Sequence, residues 1–291
     1  MRVERVYDWQ RGKELSEQDP QRLDPQIQAA DTIRLGHLSD THLGKGDPGE
    51  RQRQMRRWLE AFEGLGCDAI VHSGDLVEDP GDEEVVDWAF STLDDVSVPV
   101  FGVPGNHDVA RPGEKSAITT GWGPFPRAVS VGDVRLFLTD SMAWPPAQDR
   151  DEREKEAARE SGFWSRGGLG PEQRQQLAQD LGQDWPGAKI LVVHHHLRQP
   201  VPPKPWYEQN ADLMAPLKDA DDVLALARKA GVELVLHGHR HQYVPPYSPF
   251  EDIVLVNSTS STREGWPKRT RIIDVAAKGG AARIWELVRY K

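Results

Sequence analysis

Residues 98–108, VPVFGVPGNHD, change character halfway along. Val98 to Val103 is an apolar, β-branched run of the kind expected of a buried strand. Pro104 and Gly105 then turn the chain, and Asn106, His107 and Asp108 follow at once. These three are poor strand and helix formers and ordinary turn residues. Whether they form a site depends on whether other apolar runs end the same way.

Four others do. IRLGHLSDTHLG (33–44) ends in Asp40 and His42, AIVHSGD (69–75) in Asp75, AKILVVHHH (188–196) in His194, His195 and His196, and VELVLHGHRH (232–241) in His239 and His241. Between the first three runs, residues 51–65 and 83–96 have helical periodicity, with Met55, Leu59 and Phe62 on one face of the former. Further helices are expected over 171–181, opening on a proline, and over 222–231, ending at Gly231. The β-α-β-α-β order predicts a parallel sheet with helical crossovers. Its strands end on one edge, where open α/β folds bind ligands. Three later runs, 253–258, 269–275 and 282–288, have no helices between them and predict an antiparallel edge or a second sheet.

Asp-x-His and His-x-His place two side chains on the same side of an extended chain. Chelation requires that arrangement, and imidazole with carboxylate but no thiolate suits Zn, Fe, Mn, Co or Ni. Each piece alone has an ordinary reading. A strand-end histidine is usually a satisfied hydrogen-bonding group, Gly74-Asp75 is a common turn, and Asp40 could cap a helix. Seven such residues in five matched settings favour a shared metal site.

Composition sets the outer limits. With 291 residues the chain has room for one large or two modest domains. Cys67 is the only cysteine, which excludes an internal disulfide and thiolate metal sites and points to the cytoplasm. No apolar run reaches the roughly 18 residues of a membrane span, and the charged N-terminus lacks a secretory core. A net charge of −10 argues against broad nucleic-acid binding, so a phosphate substrate would need local positive charge such as metal ions. Residues 1–31 are polar and read as a surface extension with a short helix, preceding a domain over 32–291.

In chain order, Asp-x-His (40–42), Gly-Asp (74–75), Gly-Asn-His-Asp (105–108), His194 and Gly-His-x-His (238–241) resemble the calcineurin-like metallophosphoesterase superfamily over about residues 33–262. The triple histidine is most similar to the bacterial cyclic-nucleotide and glycerophosphodiester phosphodiesterase branch, although Leu197 stands where that branch has proline. The resemblance implies an α/β fold, a four-layer α/β/β/α sandwich of two mixed β-sheets flanked by helices. It implies two transition-metal ions, Mn, Fe or Zn. Asp40, His42 and His241 would hold the first, Asn106, His194 and His239 the second, and Asp75 would bridge them. A hydroxide between the ions would attack a small phosphodiester, a cyclic nucleotide or a glycerophosphodiester. His107 would protonate the leaving oxygen or stabilise its charge. A nuclease, a phosphomonoesterase and a non-catalytic scaffold are the alternatives.

Other residues have two readings each. Asp108 orients His107 or caps the turn. His195 and His196 orient ligands or line the pocket. His37, His72 and His237, inside strands, belong to the core or support the ligands. Trp206 and Tyr207, in the Pro-rich loop 198–210, stack on a nucleobase or anchor packing. Arg51, Arg53, Arg56 and Arg57 line a solvated helix face or touch phosphate. The charged run 148–160 and the loop 198–210 read as inserted surface elements, and the resemblance does not account for residues 1–31 or the insertion 143–165.

Overall fold

The computed structural model describes residues 1–10, 15–19, 24–25, 28, 31–109, 116–143, 167–199, 216–241, 243–250, 252–262, 268–276, 279 and 281–289. The chain first lays down β1 (Arg2–Gln10), β2 (Ser16–Gln18), β3 (Thr32–Leu38), β4 (Ala69–His72) and β5 (Val100–Gly102). It then builds a second sheet from β6 (Arg127–Val131), β7 (Val134–Leu138), β8 (Ala188–Val192), β9 (Leu234–His237), β10 (Tyr247–Phe250) and β11 (Ile253–Asn257). Finally β12 (Lys268–Ala276) and β13 (Ala281–Arg289) return to the first. The sheet orders are β2-β1-β13-β12-β3-β4-β5 and β10-β11-β9-β8-β7-β6.

The helices are α1 (Pro48–Gly64), α2 (Glu83–Asp94), α3 (Ala117–Trp122), α4 (Gly170–Leu181) and α5 (Ala220–Lys229). α1 starts where the Asp47 side chain accepts the Glu50 N–H and Pro48 occupies the first turn. Its Met55, Trp58, Leu59 and Phe62 bury one face against Leu38, Ile70, Ile272 and Trp285 of the first sheet. Each such side chain contributes roughly 1.5–3 kcal/mol of burial free energy. Between the sheets, Leu35, Val71 and Ile273 meet Leu136, Ile190, Leu236 and Val256. On the far side, Leu177 of α4 and Val223 of α5 cover Phe137, Leu191 and Val235. Helix, sheet, sheet and helix are therefore the four layers.

The parallel crossovers hold: β3, β4 and β5 pair in parallel, as do β7, β8 and β9. Of the last three runs, β11 joins β9 in parallel in the second sheet. β12 and β13 are antiparallel, but lie inside the first sheet between β1 and β3 rather than at its edge. The N-terminal residues also differ from expectation. Residues 2–10 form a strand paired with β13, not a surface segment with a short helix. Val6, Tyr7 and Trp9 are buried there, while Glu4 pairs with Arg269 and Asp8 with Arg283 across the strands. Cross-strand ion pairs let a charged sequence lie within a sheet. Among the described residues no helix is long and apolar enough to cross a membrane.

Candidate metal centre

The loops after β3, β4 and β5 of one sheet and after β8 and β9 of the other converge at one edge. The β3 and β4 loops stay stitched together beyond their strands. Asp40 N–H donates to the Gly74 carbonyl at 2.9 Å, and His42 N–H to the Asp75 carbonyl at 3.0 Å. Asp40, His42, Asp75, His239 and His241 all have left-handed backbones, with φ of 53°, 44°, 55°, 72° and 49°. Only Asp31 shares that trait among the described non-glycine residues. Such conformations are uncommon and cluster at functional sites, because they aim consecutive side chains into one cavity. The motif glycines make room for this. A Cβ on Gly238 would fall 1.8 Å from Ser39 Oγ and 2.5 Å from Asp40 Oδ2, and one on Gly74, itself at φ 101°, 2.4 Å from His194 Nδ1.

All seven candidate ligands come together. Asp40, His42, Asp75 and His241 form one group, and Asp75, His194 and His239 a second, with Asp75 common to both. Asn106 Oδ1 closes the second group, 3.1 Å from His194 Nε2 and 3.0 Å from His239 Nδ1. Asp75 Oδ2 lies 3.5 Å from His42 Nε2 and 3.3 Å from His194 Nε2. Its Oδ1 accepts the His107 N–H at 2.9 Å. Asp40 caps no helix: its carboxylate accepts the His239 N–H at 3.0 and 3.1 Å and lies 3.1 Å from His241 Nε2.

The donor chemistry tests whether cations fit. His194 Nδ1 lies 2.8 Å from the Ser73 carbonyl, so it carries the proton and leaves Nε2 a lone pair in the neutral ring. That lone pair faces the oxygens of Asp75 and Asn106. His42 Nδ1 lies 2.7 Å from Glu78 Oε2, which likewise leaves His42 Nε2 as a lone pair facing Asp75 and, at 2.8 Å, His241 Nε2. In the neutral-ring forms acceptors thus confront acceptors, and a bound cation would relieve these contacts together. Without one, a proton on His194 does part of that work. Burial opposes charge on His194, but the neighbouring Asp75 carboxylate prevails and pushes its pKa up to about 9. Burial would raise Asp75, yet His194 and His42 hold it well below the usual carboxylate range.

Around this group the paired readings separate. Asp108 caps the turn: its two oxygens accept the Val77 N–H at 3.0 Å and the Gly105 N–H at 2.8 Å. Arg51 departs from a solvated helix face, being buried with Nη1 donating to the Thr41 carbonyl at 3.0 Å. Arg53 pairs with Glu50, and Arg56 lies over Trp88. His37 bonds Ser73, His72 bonds Thr41, and burial lowers the pKa of each. His237 is equally buried. His195 Nδ1 meets Ser141 Oγ at 2.8 Å, its ring 4.3 Å from that of His239, and His196 accepts from Arg240 Nη2 at 2.8 Å. Both are buried beside His239, His195 also against His194. Trp206, Tyr207 and the run 148–160 lie outside the described residues.

The sequence profile of calcineurin-like phosphoesterases matches residues 33–243. The chain belongs to that family. Among the chain's relatives, the Haemophilus influenzae 3',5'-cyclic adenosine monophosphate phosphodiesterase CpdA is 26% identical over 73% of this chain and 71% of its own length. The DNA double-strand break repair protein Mre11 of Haloferax volcanii is 32% identical over 41% of this chain and 30% of its own. That of Halobacterium salinarum is 36% identical over 27% and 23%. The chain thus spans less than a third of these Mre11 relatives. A dimetal phosphatase from Danio rerio shares the fold, with a TM-score of 0.60 at 14% identity over 88% of this chain and 98% of that one. So does a yellow lupin purple acid phosphatase, at 0.57 and 15% over 90% and 52%.

The candidate site holds one residue that the sequence did not single out. Glu78 orients His42, accepts Lys45 Nζ at 2.6 Å and lies 3.4 Å from His107 Nδ1. Burial opposes its ionisation, but His42 and Lys45 bring its pKa down to about 2, so it stays charged. A strand-end acid three residues after Asp75 was its only sequence signal. His107 is 35% exposed, with Glu78 and His241 at 29% beside it on the open side of the group, and its ring lies 4.6 Å from that of His42.

Proposed function

We propose that this phosphoesterase is a two-metal phosphodiesterase for a small diester, a cyclic nucleotide or a glycerophosphodiester, working in the cytoplasm. The observation that carries the reading is the confrontation of buried lone pairs around Asp75. Asp40, His42 and His241 would hold the first ion, Asn106, His194 and His239 the second, and Asp75 would serve both. Mn, Fe and Zn suit these donors. Bound ions would supply positive charge for the phosphate and acidify water to a nucleophile at neutral pH.

The chain's own residues do the rest. Glu78 and the Ser73 carbonyl fix the tautomers of His42 and His194, which keeps their Nε2 lone pairs turned inward. The His107 N–H holds Asp75 Oδ1, so His107 is tied to the centre through its backbone while its ring stays at the open face. There it protonates the leaving alkoxide oxygen. The preference for a small substrate is supported by the long match to CpdA and by the charge of −10, which disfavours polyanions. The shorter Mre11 matches favour DNA as a second reading.

Metal-reconstituted protein should be assayed on cyclic AMP, bis-p-nitrophenyl phosphate, p-nitrophenyl phosphate and single-stranded DNA. The small diesters should turn over faster than the monoester and DNA. Degradation of DNA with every small diester left intact would favour the second reading. Failure to hydrolyse any of the four would reject both.

A further inference from the structure

The two halves of the centre follow strands of different sheets. Asp40, His42, Asp75 and Asn106 extend from the first, and His194, His239 and His241 from the second. Their mutual placement depends on what crosses between the sheets at this edge. Most of the inter-sheet core is apolar, but its last row is not. Arg5 of β1, Glu286 of β13 and Arg271 of β12 stand side by side in register, with Arg271 opposite His37 of β3.

Arg271 is buried and reaches across. Its Nε donates to the Asn257 carbonyl at 2.5 Å and its Nη2 to the Val244 carbonyl at 2.7 Å. Asn257 ends β11 beside His237, and Val244 follows His241 by three residues. One guanidinium therefore holds both the chain just beyond the arm that carries His239 and His241 and the end of β11, the strand beside the one from which that arm leaves. Tyr243, on that arm, has Arg5, Arg269 and Arg271 at 5.6, 4.8 and 5.6 Å from its ring centre. Its hydroxyl lies 2.8 Å from that of Tyr7, a buried residue of β1. Three cations around one ring are tolerable because Glu286 pairs with Arg269 and lies 3.9 Å from Arg271, and because the ring face attracts them.

We propose that Tyr7 and Arg271 are positioning residues for the two-ion centre, holding the His239–His241 arm of the second sheet in register with Asp40 and Asp75 of the first. The proposal rests on the two-ion reading above. Both residues lie outside the stretch 33–243 matched by the family profile, so this brace belongs to the chain's N-terminal strand and C-terminal hairpin.

The test is a Mn²⁺ titration of metal-free protein by calorimetry, with thermal unfolding measured alongside. Tyr7→Phe removes one oxygen and keeps the ring. It should weaken ion binding by about 3- to 10-fold, the scale of one lost hydrogen bond acting through a ligand arm. Trp9→Phe trims the same strand at the far end of the core, beside Ala282. It should lower the unfolding temperature and leave ion affinity unchanged. Arg271→Lys keeps the charge but not the two-carbonyl reach, and should weaken binding by about 10- to 100-fold. Wild-type affinity in Tyr7→Phe, or an equal loss in Trp9→Phe, would overturn the proposal, since β1 would then serve only the fold. A wild-type chain that binds no ion would instead overturn the two-ion reading, and the brace with it.

Discussion

The loops after β3 and β4 are fixed backbone to backbone: beyond Asp40 and His42, Leu43 N–H donates to the Leu76 carbonyl at 3.0 Å and Glu78 N–H to the Leu43 carbonyl at 2.9 Å. The arm after β9 is held differently. Gly238 N–H still reaches the His194 carbonyl at 3.0 Å, but farther out the anchors are side chains, Asp40 on the His239 N–H and Arg271 on the Val244 carbonyl. Chemistry divides the same way. The first sheet supplies both carboxylates, the amide and one imidazole, while the second supplies only imidazoles. The fixed negative charge thus sits entirely on the side whose loops are joined backbone to backbone. His241 is 29% exposed, whereas His194 is fully buried.

Breaking the first sheet's contribution should have the largest effect. Asp75→Asn removes the one charge shared by both groups. Elemental analysis should show both ions depleted, with turnover reduced by about 10⁴-fold or more. Loss of only one ion would mean that the two groups are independent. His107→Ala, on the same sheet but at the mouth, should keep both ions and slow turnover by about 10²–10⁴-fold. The loss should shrink for a nitrophenolate leaving group, which needs no proton. Full activity, or loss of metal, would remove His107 from that role.

Two smaller effects sharpen the contrast. Glu78→Gln leaves the first-sheet backbone intact but loosens His42, and should weaken ion binding by about 10- to 100-fold in the same titration. An unchanged affinity would show that backbone stitching alone orients His42. The fourth concerns the second sheet's His194, whose pKa is raised to about 9 beside Asp75. The group gains a proton on folding, so its contribution to metal-free stability is complete below its unfolded pKa of about 6.5 and is lost as pH rises through about 9. Metal must displace that proton. Apparent ion affinity should therefore rise about tenfold per pH unit from pH 7 and level off near pH 9. A flat profile would place the proton elsewhere.

The strand-end pattern was legible because each polar cluster directly follows an apolar run, and topology alone brings such ends together. His194 was singled out from three neighbouring histidines because it ends the run, and its Nε2 lies beside Asp75 and Asn106. β1 was illegible for a physical reason. Both of its faces are buried, so Val6, Tyr7 and Trp9 show no simple alternation, and partners more than 260 residues away neutralise Glu4 and Asp8. β10 contains Pro249, and α3 has only six residues, too short for periodicity to register. Glu78 and Arg271 act through contacts 36 and 14 or more residues distant, which no local spacing encodes. Asp108 stood between two roles in the sequence because capping and ring orientation demand the same residue at the same place.

The five left-handed candidate ligands carry a further consequence, for how this chain can change over generations. Each holds its backbone at a cost of about 1 kcal/mol or more that glycine would not incur. Selection for thermal endurance alone would therefore favour glycine or asparagine at His241, where little packing would be lost. On the two-ion reading proposed above, a descendant freed from that chemistry would drift toward a firmer and emptier fold, since only ion binding would repay these backbones.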